Sequence, residues 1–216
     1  MTSLHNKHVL ITAGPTWEML DPVRFLSNRS SGLMGFELAN AAVKAGAKVT
    51  LVTGPVTLPD PKGVSVIRVV SAQDMYRACL KLFPKMDIAI MTAAVSDYRP
   101  AKVAKHKIKK CLDAGSGTTM TLKLVRNPDI LATLGKRKKK HQLLVGFALE
   151  SRNMLAYAKD KMKRKNCDLI VANAPSALGS PLNQVTLLYK DGQVQKLGKL
   201  EKHQVAEQLI SKLSPS

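Results

Sequence analysis

Apolar positions along the chain follow two alternating patterns. Short apolar runs predict strands, and they lie at 8–13, 48–53, 66–70, 87–92, 142–148 and 168–172. Apolar residues at every third or fourth position predict helices, and these segments lie at 34–45, 72–83, 129–138, 154–164 and 201–213. A predicted hairpin, 185–189 with 194–197, precedes the last helix. The alternation of strands and helices predicts an α/β fold with a mostly parallel sheet.

One stretch, residues 97–125, interrupts this alternation. It holds five lysines between positions 102 and 110 and then a Gly-Ser-Gly turn at 115–117. The pattern predicts a basic, hairpin-like flap that is longer than an ordinary connection. The 216 residues are expected to form a single domain, 1–216, with the flap inserted at about 97–125.

Composition narrows the class of protein. Hydrophobic residues make up 45% of the chain and charged residues 23%, which favours a packed core over disorder. Lys and Arg number 34 against 15 Asp and Glu, and a net charge of +19 favours nucleic acid, anionic lipid or phosphorylated small molecules as partners.

No apolar run is long enough to span a membrane, and no signal peptide is recognisable. Cys79, Cys111 and Cys167 are too widely spaced for a metal or disulfide framework, so reduced thiols and a cytoplasmic location are expected.

Glycines and small polar residues separate the first predicted strand from the first predicted helix. Gly14, Gly32 and Gly35 would let backbone N–H groups approach a phosphate, with Asn28 and Ser30 supplying neutral side-chain groups. Their spacing fits neither the dinucleotide GxGxxG motif nor a Walker A loop. Turn glycines without a ligand therefore stay open as an alternative.

Charged side chains form further candidate contacts. Lys161 and Lys165 are four residues apart on a predicted helix and so share one face, which suits phosphate. The flap lysines would close over a triphosphate or remain a solvated charge run, and the run at 136–140 is expected to decorate a helix end and loop. Asp97 follows a buried strand, where it would contact a ribose or a metal, or cap a turn. The histidines form no zinc motif and no GxSxG sequence is present, so neither zinc nor hydrolase chemistry is indicated.

Five segments occur in order between about Val9 and Tyr189: ITAGPTWEMLDPVRFLSNRSSGLMGFELA, TAAVSDYRP, KIKK, LVRNPDIL and VGFALES. Together they resemble the phosphopantothenoylcysteine synthetase family of the bacterial, CTP-using type. The resemblance implies a Rossmann-like three-layer sandwich with a mostly parallel sheet, a basic flap and a C-terminal hairpin. It also implies a ligase of coenzyme A biosynthesis. That ligase joins 4′-phosphopantothenate to L-cysteine through an acyl-cytidylate and releases CMP and pyrophosphate.

The resemblance also assigns roles to residues. Asn28 is expected to orient the acyl-cytidylate, Lys107 to reach the triphosphate from the flap, and Arg24 and Ala94 to lie at the phosphopantothenate. The remaining residues implied to contact CTP are Gly14, Ser30, Gly32, Gly35, Met91, Thr92, Ala93, Asp97, Val125, Arg126, Asn127, Pro128, Phe147, Lys161 and Lys165. Mg²⁺ would accompany the nucleotide, with no dedicated protein metal site. Homodimerisation and a flavin-dependent phosphopantothenoylcysteine decarboxylase partner are implied too, and the chain is expected to be a stand-alone enzyme or an excised half.

The chain departs from the family pattern at Pro15, at Leu149 and in the segment 174–183, which is shorter than expected. Two other classes remain as alternatives. An NAD(P)-binding reductase would need a compact glycine fingerprint and a ribose selector where Thr53-Gly54-Pro55 stands. A basic nucleic-acid-binding domain fits the charge, but aromatic residues are only 4% of the chain and no nucleic-acid motif is present, so non-specific, salt-sensitive retention is expected.

Overall fold

The fold is built on one eight-stranded sheet. The computed structural model describes residues 4–109, 119–149, 153–173 and 182–213. The strands of the sheet are β1 (His8–Ala13), β4 (Lys48–Thr53), β5 (Val64–Arg68), β6 (Ile88–Met91), β9 (Leu143–Leu149), β10 (Leu169–Asn173), β11 (Leu182–Tyr189) and β12 (Val194–Glu201). Two small antiparallel pairs lie outside it, β2 (Glu18–Met19) with β3 (Phe25–Leu26) and β7 (Tyr98–Pro100) with β8 (Leu124–Arg126). The helices are α1 (Leu33–Lys44), α2 (Ala72–Leu82), α3 (Ile130–Arg137), α4 (Met154–Lys165) and α5 (Lys202–Lys212).

The strand order is β12-β11-β10-β9-β6-β1-β4-β5. The strands from β10 to β5 run parallel, and β11 and β12 continue the sheet as an antiparallel hairpin. The chain builds outward from β1 to β5, then returns to the other side of β1 at β6. This reversal is the topological switch point of a doubly wound sheet, and it confirms the predicted Rossmann-like α/β fold.

Apolar side chains on the two faces of the sheet form two separate core clusters. On one face Ile11 and Leu51 pack with residues of α1 and α5. On the other face Leu10 and Val52 pack with residues of α2, α3 and α4. Consecutive residues of a strand point to opposite faces, so a strand buried on both sides must be apolar throughout. The helices and sheet therefore form the three predicted layers.

Most predicted elements lie within two residues of their observed bounds. The strand predicted at 66–70 lies two residues earlier, at Val64–Arg68, because its pairing starts at Val49 of β4. The hairpin strands are longer than the predicted 185–189 and 194–197, and they cover Leu182–Tyr189 and Val194–Glu201. The irregular segment 17–32 contains the β2–β3 pair, which the sequence pattern did not predict; Trp17 and Phe25 stack beside it with ring centroids 4.2 Å apart. Among the flap residues that the structure describes, 97–109 and 119–125, strand pairing is limited to a stem formed by β7 and β8. The turn at 115–117 lies outside the described residues.

Candidate functional site

The site lies at the carboxyl ends of β1 and β6, on either side of the switch point. Pro15 forms a parallel bridge with Ala94, whose N–H donates to the carbonyl of Gly14 at 2.9 Å. The N–H of Ala93 donates to the Thr12 hydroxyl at 3.2 Å. These bonds join the two loops that follow the strands, at the edge of the sheet where doubly wound folds bind ligands.

Glycines in and beside the first loop lie where another segment of the chain approaches closely. A Cβ on Gly32 would lie 3.2 Å from the Gly14 nitrogen, and a Cβ on Gly54 would lie 1.7 Å from the Pro15 carbonyl oxygen. Gly35 packs against Ala13 in the same way, where a Cβ would come within 2.5 Å of the alanine side chain. The packing of the chain alone accounts for glycine at these positions.

A cavity of about 710 Å³ opens beside the switch point. Its lining includes nine of the residues that the family resemblance implied: Met91, Ala93, Asp97, Arg126, Asn127, Pro128, Phe147, Lys161 and Lys165. It also includes residues that the sequence did not single out, among them Thr12, Tyr157, Asp160 and Arg164. Tyr157 and Arg164 share a face of α4 with Lys161, so the helical spacing around that lysine was the signal that could have found them.

Basic side chains from α4 form one wall of the cavity. Lys161 donates from Nζ to the Phe147 carbonyl at 2.7 Å, and Arg164 pairs with Asp160 at 2.6 Å. Lys165 pairs with Asp129, the N-cap of α3, whose side chain also accepts the Ala132 N–H at 2.8 Å. The wall therefore carries three cations on one helix, each placed by a neighbouring acceptor.

The Asp129 carboxylate stays ionised in this setting. Partial burial works to raise its pKa, but the Lys165 ammonium, the Ala132 N–H and the more distant Lys161 outweigh burial and hold the pKa below its ordinary value. Asp129 and Asp160 together offset two of the three cations of this wall, so the wall retains a net positive charge that attracts anions.

The end of β8 and the loop after it are fixed by four hydrogen bonds to the segment that follows β6. The Asn127 N–H donates to the Asp97 carbonyl at 2.8 Å, and its side-chain amide donates to the Ser96 carbonyl at 2.9 Å. Arg99 donates to the Arg126 carbonyl at 2.6 Å and to the Asn127 side-chain oxygen at 3.1 Å. Tyr98 and Asp97 raise the pKa of Arg126, which keeps this guanidinium charged at the cavity.

Other residues implied by the resemblance lie at the lip of the cavity or behind it. Asn28 is exposed and donates to the Ala94 carbonyl at 3.0 Å, so it stands at the junction of the two loops. Ser30 accepts the Gly32 N–H at 3.3 Å within the first loop, while Thr92 and Val125 adjoin lining residues. Leu149, at the end of β9, is exposed, and most of the unusual segment 174–183 lies outside the described residues.

Two residues implied as ligands lie in the neighbouring flap region instead. Arg24 pairs with Asp21 at 2.6 Å and donates to the Ile108 carbonyl at 2.8 Å. Lys107 is exposed and precedes Ile108 directly. Arg24 and Lys107 are thus not part of the cavity lining, and Arg24 is bonded to the residue that follows Lys107.

Metal-ligating side chains do not cluster within the described ranges: no group of three or more His, Cys, Asp or Glu residues could hold an ion there. Across the same ranges, every helix is too short or too polar to cross a bilayer.

Comparison with known proteins finds relatives that are described as bifunctional proteins of coenzyme A biosynthesis. The Coenzyme A biosynthesis bifunctional protein CoaBC of Bacillus subtilis is 48% identical over 216 residues, and that of Borreliella burgdorferi is 43% identical over 208 residues. The alignments cover 98% and 96% of this chain but 52% of each relative, so the chain spans about half of their length.

Solved structures agree with the architecture. The C-terminal domain of a Coenzyme A biosynthesis bifunctional protein CoaBC superposes with a TM-score of 0.84 at 43% identity, covering 99% of this chain and 96% of that one. A DNA/pantothenate metabolism flavoprotein from Streptococcus pneumoniae superposes with a TM-score of 0.82 at 22% identity, which shows a shared fold.

The family model described as the DNA/pantothenate metabolism flavoprotein C-terminal domain matches residues 4–215, nearly the whole chain. With the similarity to the C-terminal halves of bifunctional relatives, this match shows that the chain belongs to the DNA/pantothenate metabolism flavoprotein C-terminal domain family.

Proposed function

We propose that this chain is the phosphopantothenate–cysteine ligase of coenzyme A biosynthesis and that it uses CTP. The observation that carries the proposal is the basic cavity at the switch point, which is lined by Arg126, Lys161, Arg164 and Lys165. A cavity of this charge and position suits a nucleoside triphosphate. The relatives named as coenzyme A biosynthesis proteins support the pathway, and the sequence resemblance supplies the reaction.

The proposed reaction has two steps. A carboxylate oxygen of 4′-phosphopantothenate attacks the α-phosphorus of CTP, and pyrophosphate leaves. The amine of free cysteine then attacks the acyl carbon, CMP leaves, and the amine loses a proton as the amide forms. The first step converts a poor electrophile into one with a phosphate leaving group, and no protein thiol is needed.

The described residues have complementary parts in this scheme. Lys161 and Lys165 lie on the wall that would bind the triphosphate, with Arg126 across the loop from them. Asn28 stands at the lip beside Ala94, where its amide would orient the acyl-cytidylate and stabilise developing charge. Lys107 would approach the triphosphate from the flap.

Mg²⁺ would arrive with CTP. This ion usually keeps several waters and binds phosphate oxygens with one or two carboxylates, so a protein cage is not required. Asp97 lies in the cavity lining and is the carboxylate there without an ion pair in the described structure, which makes it the residue best placed to assist. The ion would supply charge neutralisation of the phosphates.

We also propose a single domain over 1–216, a homodimer, and a flavin-dependent phosphopantothenoylcysteine decarboxylase as the partner activity. The buried, free Cys79 and Cys167 suit a reducing cytoplasm. Size-exclusion chromatography with light scattering tests the dimer, for which a mass near twice 23.5 kDa is expected.

The direct test supplies 4′-phosphopantothenate, cysteine and Mg²⁺ with each nucleotide in turn. We expect phosphopantothenoylcysteine and CMP with CTP, and a lower kcat/KM with ATP. Nucleotide cleavage that does not depend on phosphopantothenate, or equal use of CTP and ATP, would contradict the assignment.

Asn28→Asp separates the two steps. The substitution replaces the amide donor by a carboxylate that repels both the Ala94 carbonyl and the anionic intermediate. Acyl-cytidylate should accumulate while amide formation slows by about 100-fold, by analogy with the loss of one oxyanion donor. Quenched-flow analysis of both species measures this, and wild-type turnover in the variant would overturn the role of Asn28.

Lys107→Gln tests the flap. Loss of the ammonium should raise KM for CTP and lower kcat, whereas Lys105→Gln, an equal loss of charge two residues away, should do much less. If both variants change KM and kcat equally, Lys107 is only one of several solvated charges and not a specific ligand of the triphosphate.

A further inference from the structure

The most heavily bonded carboxylate described in the loop between β2 and β3 is that of Asp21, and its side chain is fully buried. Its Oδ1 accepts the N–H groups of Val23 and Arg24, both at 2.9 Å. Its Oδ2 accepts Arg24 Nε at 3.0 Å and Nη2 at 2.6 Å, and also the N–H of Ile108 at 3.0 Å. One carboxylate therefore ties a local turn, a guanidinium and a distant segment together.

Arg24 completes the link from the other side. Its Nη2 donates to the Ile108 carbonyl at 2.8 Å, while the Ile108 N–H donates to Asp21. Both polar groups of Ile108 are thus held by one ion pair, about 85 residues away in the chain. A further backbone bond, from the Ala104 N–H to the Leu20 carbonyl at 2.9 Å, fastens the same stretch.

The fastened stretch is strongly basic. Lys105, Lys107 and Lys109 are all exposed around Ile108, and their mutual repulsion favours opening of the segment. Charge-assisted bonds to a buried carboxylate oppose that repulsion, since they are shorter and stronger than neutral ones. The local bonds among Asp21, Val23 and Arg24 do not require Ile108.

We propose that Asp21 is a positioning residue that acts through Arg24 and Ile108 to set where Lys107 stands. Asp21, Arg24 and Ile108 form a latch, which holds the flap segment around Ile108 before any substrate arrives. The proposed effect on turnover rests on the proposed function, because it requires Lys107 to reach the triphosphate. In this arrangement Arg24 acts on the flap, in addition to the contact with phosphopantothenate that the family resemblance implies.

The first test uses no substrate. Asp21→Asn keeps the side-chain volume but removes the charge. Either the NH2 group or the neutral oxygen of the amide, a weaker acceptor, then faces the guanidinium and the Ile108 N–H. Cleavage between Lys102 and Lys109 by a lysine-specific protease should rise on the order of tenfold, because local opening becomes easier. The matched control is Asp60→Asn, which removes one acid from the exposed Asp60–Arg68 pair, also 2.6 Å long.

A second variant guards against simple misfolding. Arg24→Lys keeps the positive charge but cannot donate to Asp21 and to Ile108 in the same planar arrangement. This variant should also increase cleavage. The thermal unfolding midpoint is recorded for every variant to show that each one is folded. Unchanged cleavage in a folded Asp21→Asn or Arg24→Lys protein would overturn the latch.

The second test is a double-mutant cycle on kcat. Asp21→Asn should slow turnover in the wild-type background, yet add little in the Lys107→Gln background, because the latch then has no ammonium to place. Equal losses in both backgrounds would show a merely structural role and overturn the proposal. If the wild-type chain makes no phosphopantothenoylcysteine, the proposed function fails, while the cleavage experiment still decides whether the latch exists.

Discussion

Lys138 lies in a run of five basic residues at 136–140, yet its side chain is only 7% exposed. Its Nζ lies 2.6 Å from both carboxylate oxygens of Asp168, which also accepts the Leu144 N–H at 2.8 Å. The pair joins the end of α3 to β9 and β10. The run lies at a helix end and loop, as predicted, but the sequence did not show that Lys138 is buried in an ion pair, because burial is not visible in a run of like residues.

Lys138→Ala should destabilise the fold by about 2–4 kcal/mol, since it leaves the carboxylate of Asp168 partly buried without its closest cation. Lys140→Ala removes an equal charge from an exposed position of the same run and should change stability by less than about 0.5 kcal/mol. Urea unfolding measures both free energies of unfolding. Similar losses in the two variants would show that Lys138 contributes only through general charge.

At the scale of the element, α2 begins with a complete capping box. The Ser71 hydroxyl accepts the Asp74 N–H at 3.2 Å, and the Asp74 carboxylate accepts the Ser71 N–H at 3.0 Å. Glu18 of β2 adds a third contact by accepting the Ala72 N–H at 2.9 Å. Ser71 is thus the N-cap of α2, and the sequence signal for it is local, because it depends on two residues three apart in the chain.

Ser71→Ala should lower the free energy of unfolding by about 1 kcal/mol near neutral pH, while Ser71→Thr, which keeps the hydroxyl, should cost less. Burial works to raise the pKa of Asp74, but hydrogen bonds from Ser71 and the Arg77 charge hold it below its ordinary value. A lowered acid pKa contributes stability above the unfolded pKa, near 3.9, and loses it as pH falls further. The difference in the free energy of unfolding between Ser71→Ala and wild type should therefore shrink below about pH 4 in urea titrations. A constant difference would contradict the stabilising bond from the Ser71 hydroxyl to the Asp74 carboxylate.

At the scale of the whole molecule, the three layers leave two cysteines without access to solvent. Cys79 of α2 and Cys167 before β10 are buried, and burial raises the pKa of each thiol to about 12. Cys111 lies outside the described residues.

A Cys111→Ser variant should therefore resist iodoacetamide at pH 8, where a thiol of pKa about 12 is roughly 0.01% thiolate. Both remaining thiols should react at once in denaturant. Because unfolding restores an ordinary pKa, stability should also decline as pH rises above about 9 toward 12. Mass spectrometry of alkylated peptides measures the first effect, and labelling of native protein at the rate of a free thiol would contradict it.

Local information was sufficient for the elements of this fold. Apolar runs and helical spacing depend on neighbours within a few residues, which is why most bounds are close to those predicted. The parallel character of the sheet followed from the alternation of β1, α1 and β4 and its repetition. The short β2–β3 pair was missed because two-residue strands carry no periodicity.

The candidate site was foreseen only in part, and its roles remain predictions. Motif residues following β1 and β6 meet because parallel strands on either side of the switch point end at the same edge. Sequence spacing could not show that Asp129 pairs with Lys165. Nor could it show that Arg24 turns toward Ile108. These partners lie 36 and 84 residues apart, and distances of that kind are set by strand order and packing. Composition and local spacing thus fixed which groups the chain carries and the elements that hold them, whereas the order of strands and the burial of single charges arose only when distant segments packed together.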